Sequence, residues 1–163
     1  MRCPASQSSP SQAAHAQVEA LEPRRLLSAA DVLPAQAPDF SLRVNFQPES
    51  HKTVPANHRA DIGRAFGKRA NKLSYGWSVS NERWARTRQS PASPTERHDT
   101  LNHFRNGAKW EVAVPNGNYY VKVLAGDPVY TDSNYRIAAE GVVVVSGRPS
   151  GTQKWVTGSA VVR

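Results

Sequence analysis

Two Asn-Gly dipeptides, Asn106-Gly107 and Asn116-Gly117, lie ten residues apart among alternating apolar and polar residues, and they constrain this 163-residue chain more than any other feature. Both central residues of a type I′ turn need positive φ, which glycine adopts freely and asparagine tolerates, so Asn-Gly between alternating segments predicts a hairpin. Trp110, Val112 and Val114 alternate with Glu111 and Ala113, and Tyr119, Val121 and Val123 alternate with Tyr120, Lys122 and Leu124. A period of two sends successive side chains to opposite faces of a strand, so each segment offers one face to a core. The pattern predicts a three-stranded antiparallel meander over Asp99–Arg105, Ala108–Val114 and Asn118–Ala125.

Further strands are predicted over Leu42–Phe46, Tyr135–Ala139, Val142–Val145 and Lys154–Val162, punctuated by Gly126-Asp127-Pro128, Gly141 and Ser146-Gly147. Residues 47–98 are rich in Pro, Gly, Asn, Ser and Arg. A structureless loop of that length is out of keeping with a compact domain, and a short strand over Leu73–Trp77 is expected within it. No segment after residue 40 has the periodicity of an amphipathic helix. Short strands with turns every eight to twelve residues define an all-β antiparallel β-sandwich or barrel.

The first 39 residues hold none of the 13 aromatic residues but five of the 12 prolines. A segment without large apolar groups cannot offset the entropy of ordering its backbone, so residues 1–40 are expected to be a disordered leader and residues 41–163 the folded domain. The longest aliphatic run, Val142 to Val145, is far short of the roughly 20 apolar residues of a membrane-spanning helix, and no span is expected. Cys3 is the only cysteine, which excludes an internal disulfide and a thiolate zinc cluster.

Charge is unevenly placed. The chain carries a formal +8, and residues 43–109 alone hold 13 Lys and Arg against five Asp and Glu. Residues 110–163 hold five against four, and residues 1–42 three against four. A basic segment of this kind makes nucleic acid, acidic polysaccharide or another polyanion a candidate partner, although dispersed arginines on a solvated face are the plainer explanation.

Catalytic patterns are missing. No GxSxG nucleophile elbow occurs, and Gly63, Gly67 and Lys68 miss the spacing of a phosphate-binding loop. There is no HExxH, and His98 and His103 fall on opposite faces of a strand. Glu96 and Asp99 are better read as turn or cap residues than as a glycosidase pair. The chain is therefore expected not to be an enzyme and to need no cofactor.

Two clusters carry recognition chemistry. Tyr75, Trp77 and Trp84 stand near Arg83, Arg86 and Arg88, and an aromatic ring among arginines can stack on the apolar face of a sugar or on an unpaired base. Tyr75 and Trp77, two apart, equally suit the core of the sandwich, whereas no strand pattern claims Trp84. The second cluster is Asp127, Tyr130, Asp132, Asn134 and Tyr135, on the connection after the expected meander, where an ordinary polar turn is the alternative.

RVNFQP at Arg43–Pro48, VPANHRADIGRAFG at Val54–Gly67, LSYGW at Leu73–Trp77, RHDTLNHF at Arg97–Phe104 and WEVAVPNGNYYVKVLAGDP at Trp110–Pro128 together resemble malectin-like carbohydrate-binding modules of the galactose-binding type. The resemblance covers residues 43–162, about three quarters of the chain. It implies a jelly-roll sandwich without catalytic activity that holds a sugar on loops at one end. The positions it carries over are the aromatic and polar groups of the LSYGW stretch and the Gly126-Asp127 bend; together with the two clusters they make Tyr75, Trp77, Trp84, Asp127, Tyr130 and Asn134 the candidate site residues, and the partner a carbohydrate or polysaccharide. Such domains often hold a structural calcium ion, whose oxygen ligands the motifs do not assign. They also continue past the strand at Lys154–Val162, whereas this sequence stops at Arg163, so a shortened copy or an edge covered by a partner is expected.

Leu21, Glu22, Pro23, Arg24, Leu26, Leu27 and Ser28 match the LEPRxLLS segment found near the start of many bacterial exported and surface proteins, with Arg25 at the variable position. That resemblance implies secretion or display at the cell surface, although residues 1–20 lack the basic, apolar and small-residue order of a signal peptide. Three readings of function follow: a carbohydrate-binding or adhesive module, a polyanion or nucleic-acid binder acting through residues 43–109, or a structural spacer without ligand.

Overall fold

The computed structural model describes residues 40–105 and 107–163. The LEPRxLLS segment and, apart from Phe40, the expected leader lie outside them. Phe40 already packs edge-on against Tyr119, with ring centroids 6.1 Å apart.

The fold is all-β. Its strands are β1 (Val44–Phe46), β2 (Arg59–Asp61), β3 (Gly67–Lys68), β4 (Ser74–Trp77), β5 (Ala85–Thr87), β6 (Thr100–Asn102), β7 (Trp110–Val112), β8 (Tyr119–Gly126), β9 (Tyr135–Ala139), β10 (Val142–Gly147) and β11 (Trp155–Val162), with single 3-10 turns at Glu82–Trp84 and Glu96–His98. All ladders between them are antiparallel except β1 with β2. Residues 47–98 thus supply four short strands, of which only β4 was expected.

The expected meander does not form. β6 pairs with β5, β7 with β4, and β8 with β11 along its whole length from Gly126↔Trp155 to Tyr119↔Val162. Competition for partners explains this. Gly107 does sit at φ +69° in a turn closed by the Ala108 N–H to the Arg105 carbonyl. On either side of that turn, however, His103 N–H donates to Trp84 and Ser78 N–H to Lys109, so the flanking strands are claimed elsewhere. Pro115 has no N–H to give a β7–β8 ladder, and its carbonyl accepts the Tyr119 hydroxyl at 2.6 Å. The chain therefore passes from one sheet to another at Asn116-Gly117 instead of reversing into a hairpin.

The tight hairpin lies between β9 and β10. Glu140 and Gly141 have φ of +46° and +78°, and Ala139 pairs with Val142, which is the two-residue geometry expected of Asn-Gly.

Two nuclei hold the sheets together. In the first, Val144 and Val145 of β10 and Ala125 of β8 are buried, and Val121, Val123, Tyr135, Ile137, Val156 and Ala160 pack around them. The second is aromatic: Phe46 meets Trp77 and Trp110 edge-on at 5.6 and 5.8 Å, Tyr75 lies 6.0 Å from Trp110, and Phe104 lies 4.8 Å from Trp77. Asp61 closes this nucleus. Its carboxylate accepts the Trp77 indole N–H at 3.1 Å, the Trp110 indole N–H at 2.8 Å and the Gly63 backbone N–H at 2.8 Å.

Candidate functional site

β5 organises the candidate site because its two faces do different work. Register pairs Ala85 with Asn102, Arg86 with Leu101 and Thr87 with Thr100. Alternation turns Ala85 and Thr87 inward and leaves Arg86 and Arg88, two apart, on the other face.

On the inward side Asp99 holds the segment that follows β5. Its carboxylate accepts the Gln89 and Ser90 N–H groups, both at 2.8 Å, and the Ser93 and Thr87 hydroxyls, both at 3.0 Å. Asp99 is thus a turn residue, as its position suggested. Burial alone would raise its pKa, but the hydrogen bonds from Ser90, Gln89, Ser93 and Thr87 prevail and hold it below the ordinary carboxylate value. A depressed native pKa stabilises the fold above the unfolded value of 3.8, and that contribution is lost as pH falls through the lower native value. Denaturation midpoints of the wild type and Asp99→Asn should therefore differ clearly at pH 7 and converge as the pH drops below about 4.

The outward face is basic and aromatic. The Trp84 ring carries three guanidinium groups: Arg105 at 4.4 Å, Arg83 at 5.1 Å and Arg86 at 6.0 Å from its centroid. Contacts of this kind contribute roughly 0.5–2 kcal/mol each and fix the position of the cation. Arg86 is also anchored through Nη1 to the Arg83 and Ala85 carbonyls at 2.7 and 2.8 Å. Among the described residues, Arg83, Arg86 and Arg105 form no ion pair. Three like charges around one ring repel, and an anion placed among them relieves that repulsion.

Arg88 extends the face. It grips Asp127 through Nε at 3.1 Å and Nη2 at 2.5 Å, and its guanidinium lies 5.0 Å from the Tyr130 centroid. Asp127 Oδ1 also accepts the Val129 and Tyr130 N–H groups at 2.9 and 3.3 Å, which shapes the bend that presents Tyr130. His103 feels the charges of the same arginines. Burial lowers its pKa first, and the positive charges of Arg86, Arg88 and Arg105 lower it further against the opposing effect of Asp127.

The residues singled out in the sequence therefore separate. Trp84, half-buried, is ringed by Arg83, Arg86 and Arg105, and Tyr130, 56% exposed, lies beside Arg88, two residues from Arg86. Tyr75 and Trp77 are in the aromatic core, 5% and 0% exposed, which leaves a ligand no ring face to stack on. Asp127 is buried and committed to Arg88 and to its own bend, so it positions the face from beneath. Asn134 is exposed on the run into β9, and none of the cluster's hydrogen bonds reaches it. His103 and Arg105 were not singled out: only the β5–β6 pairing carries them to Trp84. Among the described residues no group of three or more His, Cys, Asp or Glu gathers as a metal site.

Compared with family models, curated proteins and solved structures, the chain matches none. The functional reading rests on the geometry and on the motifs.

Proposed function

We propose that the chain is a non-catalytic carbohydrate-binding module of an exported protein, and that the glycan it holds is acidic. The observation that carries this reading is the Trp84 ring surrounded by Arg83, Arg86 and Arg105, none of them neutralised by a carboxylate within the described residues. Carboxylate or sulfate groups suit the guanidinium forks, and the exposed Tyr130 ring suits the apolar face of a sugar further along the chain. The malectin-like motifs favour a glycan, and the LEPRxLLS segment favours a location outside the cell.

Calorimetry of the full chain against a polyuronate, a sulfated glycan, a neutral glucan and single-stranded DNA tests this. The two acidic glycans should bind with affinity that falls as salt rises, and the neutral glucan should not occupy this face. Arg86→Ala with Arg105→Ala should weaken acidic-glycan binding at least tenfold, about 1.4 kcal/mol, and flatten the salt dependence. Equal or tighter binding of single-stranded DNA would transfer the face to nucleic acid, because an aromatic ring beside arginines stacks equally well on bases.

A further inference from the structure

Asn116-Gly117 carries the second of the two hairpin signals, and the fold leaves it unused. It lies in the bend between β7 and β8, which pair with β4 and β11 and not with each other. Asn116 is exposed, and among the described residues neither its carboxamide nor the Gly117 N–H has a hydrogen-bond partner. The bond that braces this connection runs from the Tyr119 hydroxyl to the Pro115 carbonyl and spans the dipeptide without engaging it.

No other asparagine among the described residues combines exposure, a free carboxamide and a following glycine. Asn45 and Asn81 are 4% and 2% exposed, and each carboxamide donates twice, Asn45 to Gln47 and Thr100 and Asn81 to Asn102 and the His103 carbonyl. After Asn57, Asn71 and Asn102 the next N–H is committed, from His58 to Pro55, from Lys72 to Arg69 and from His103 to Trp84. Asn118 and Asn134 precede Tyr119 and Tyr135, which open β8 and β9.

Asparagine is a chemically labile residue, and its lability is an attack by the next backbone nitrogen on its own side chain. The Gly117 N–H gives up its proton to base, the nitrogen bonds to Asn116 Cγ, and the carboxamide nitrogen leaves as ammonia, which closes a succinimide ring. Water then adds to one of the two ring carbonyls and opens the ring, either to aspartate or to an iso-aspartyl link in which the main chain runs through the former side-chain carboxyl. One water is consumed and one ammonia released, with no other reactant. The approach needs a backbone free to rotate and a nitrogen held by no acceptor, and a Cβ on the following residue would obstruct it; glycine has none.

We infer that Asn116 is a site of spontaneous covalent modification that the native fold holds open, converting to aspartyl and iso-aspartyl forms. The product carries a carboxylate on the connection between two sheets and brings the formal charge one unit below +8. The iso-aspartyl form also lengthens the main chain by one carbon, which the bend can absorb because β4 and β11 hold the strands on either side. The inference does not depend on the acidic-glycan reading.

The test incubates the full chain at mildly alkaline pH, once in native buffer and once in guanidinium chloride, and follows tryptic peptides by mass. Cleavage after Lys109 and Lys122 yields the peptide Trp110–Lys122, in which Asn118 is an internal control. That peptide should gain the mass of an amide-to-acid exchange, with fragmentation placing it at Asn116, and the native chain should resolve into a second, more acidic species on ion exchange. The native rate should lie within about fivefold of the denatured rate, because no local opening has to precede the reaction. Gly117→Ala should slow it about tenfold or more, since the added Cβ obstructs the attacking nitrogen. A native rate more than about fivefold below the denatured one would mean that the fold restrains this bend and would overturn the inference, as would equal conversion of Asn118.

Discussion

Asp61→Ala is expected to cost about 4 kcal/mol of stability, enough to leave the chain marginally folded given that domains of this size are stable by roughly 5–15 kcal/mol. The size follows from what the carboxylate does. It is 3% exposed and receives three N–H donors from two indoles and one backbone amide, and Trp77 above it is fully buried. Removing the acceptor leaves three donors without partners, and each buried orphan costs about 1–3 kcal/mol, reduced by whatever water the vacated space admits. Asp61→Asn keeps one carbonyl oxygen and should lose less. A double-mutant cycle with Trp110→Phe isolates the indole bond: the second change should cost much less in the Asp61→Ala background than in the wild type. Urea midpoints followed by tryptophan fluorescence measure all four variants, and a loss under about 1 kcal/mol for Asp61→Ala would mean the nucleus does not depend on this acceptor.

Strand positions were legible in the sequence and strand partners were not. Alternation placed β9 at its observed limits, and β8 and β11 to within one residue, because each buries one face. Partner choice is a competition the local pattern does not record. Asn-Gly marks where a chain can reverse, but Trp110 gains more from lying opposite Trp77, with Asp61 across both indoles, than from a neighbour ten residues away. The hairpin that does form uses Glu140-Gly141, where one strong turn former suffices because the five antiparallel pairs of β9 with β10 hold Glu140 at positive φ. β2, β3 and β5 went unread because strands of two or three residues carry too few alternations to stand out from a polar segment.

The candidate site was half legible for the same reason. Trp84 stood out as an aromatic residue among charges that no strand claimed, and Arg83 and Arg86 adjoin it in sequence. Arg105, whose guanidinium lies nearest the ring, is 21 positions away and arrives through the pairing of β6 with β5. The Asp127 cluster signalled a real constellation with the roles exchanged: the carboxylate is the internal anchor and the tyrosine the exposed group. A buried acid held by an arginine and two amides is hard to tell from a ligand-binding acid while its partner, Arg88, lies 39 residues away.

Gly158→Ala should destabilise the fold by about 3 kcal/mol, with Tm falling by roughly 10 °C. β10 carries a bulge at this point: Val143 pairs with Ala138 and Val145 with Ile137, so Val144 faces no residue of β9. The extra residue lets Val144 and Val145 both turn into the first nucleus, 6% and 1% exposed, and it pushes the Val144 carbonyl toward β11. A Cβ at position 158 would sit 1.8 Å from that carbonyl oxygen and 2.9 Å from its carbon. The obstruction is backbone, so no side-chain rotation relieves it; either the bulge is lost, exposing one of the two valines, or β11 moves off β8 along a ladder of eight pairs. Ser159→Ala, one residue on and exposed, is the control and should stay within about 0.5 kcal/mol of wild type. Equal stability of Gly158→Ala and Ser159→Ala would mean that β10 does not press on β11 in solution. Because Gly158 and Val144 share no residue with Trp84 and its arginines, Gly158→Ala should still bind acidic glycan below its lowered melting temperature, whereas the Arg86 and Arg105 changes should lose binding without losing stability.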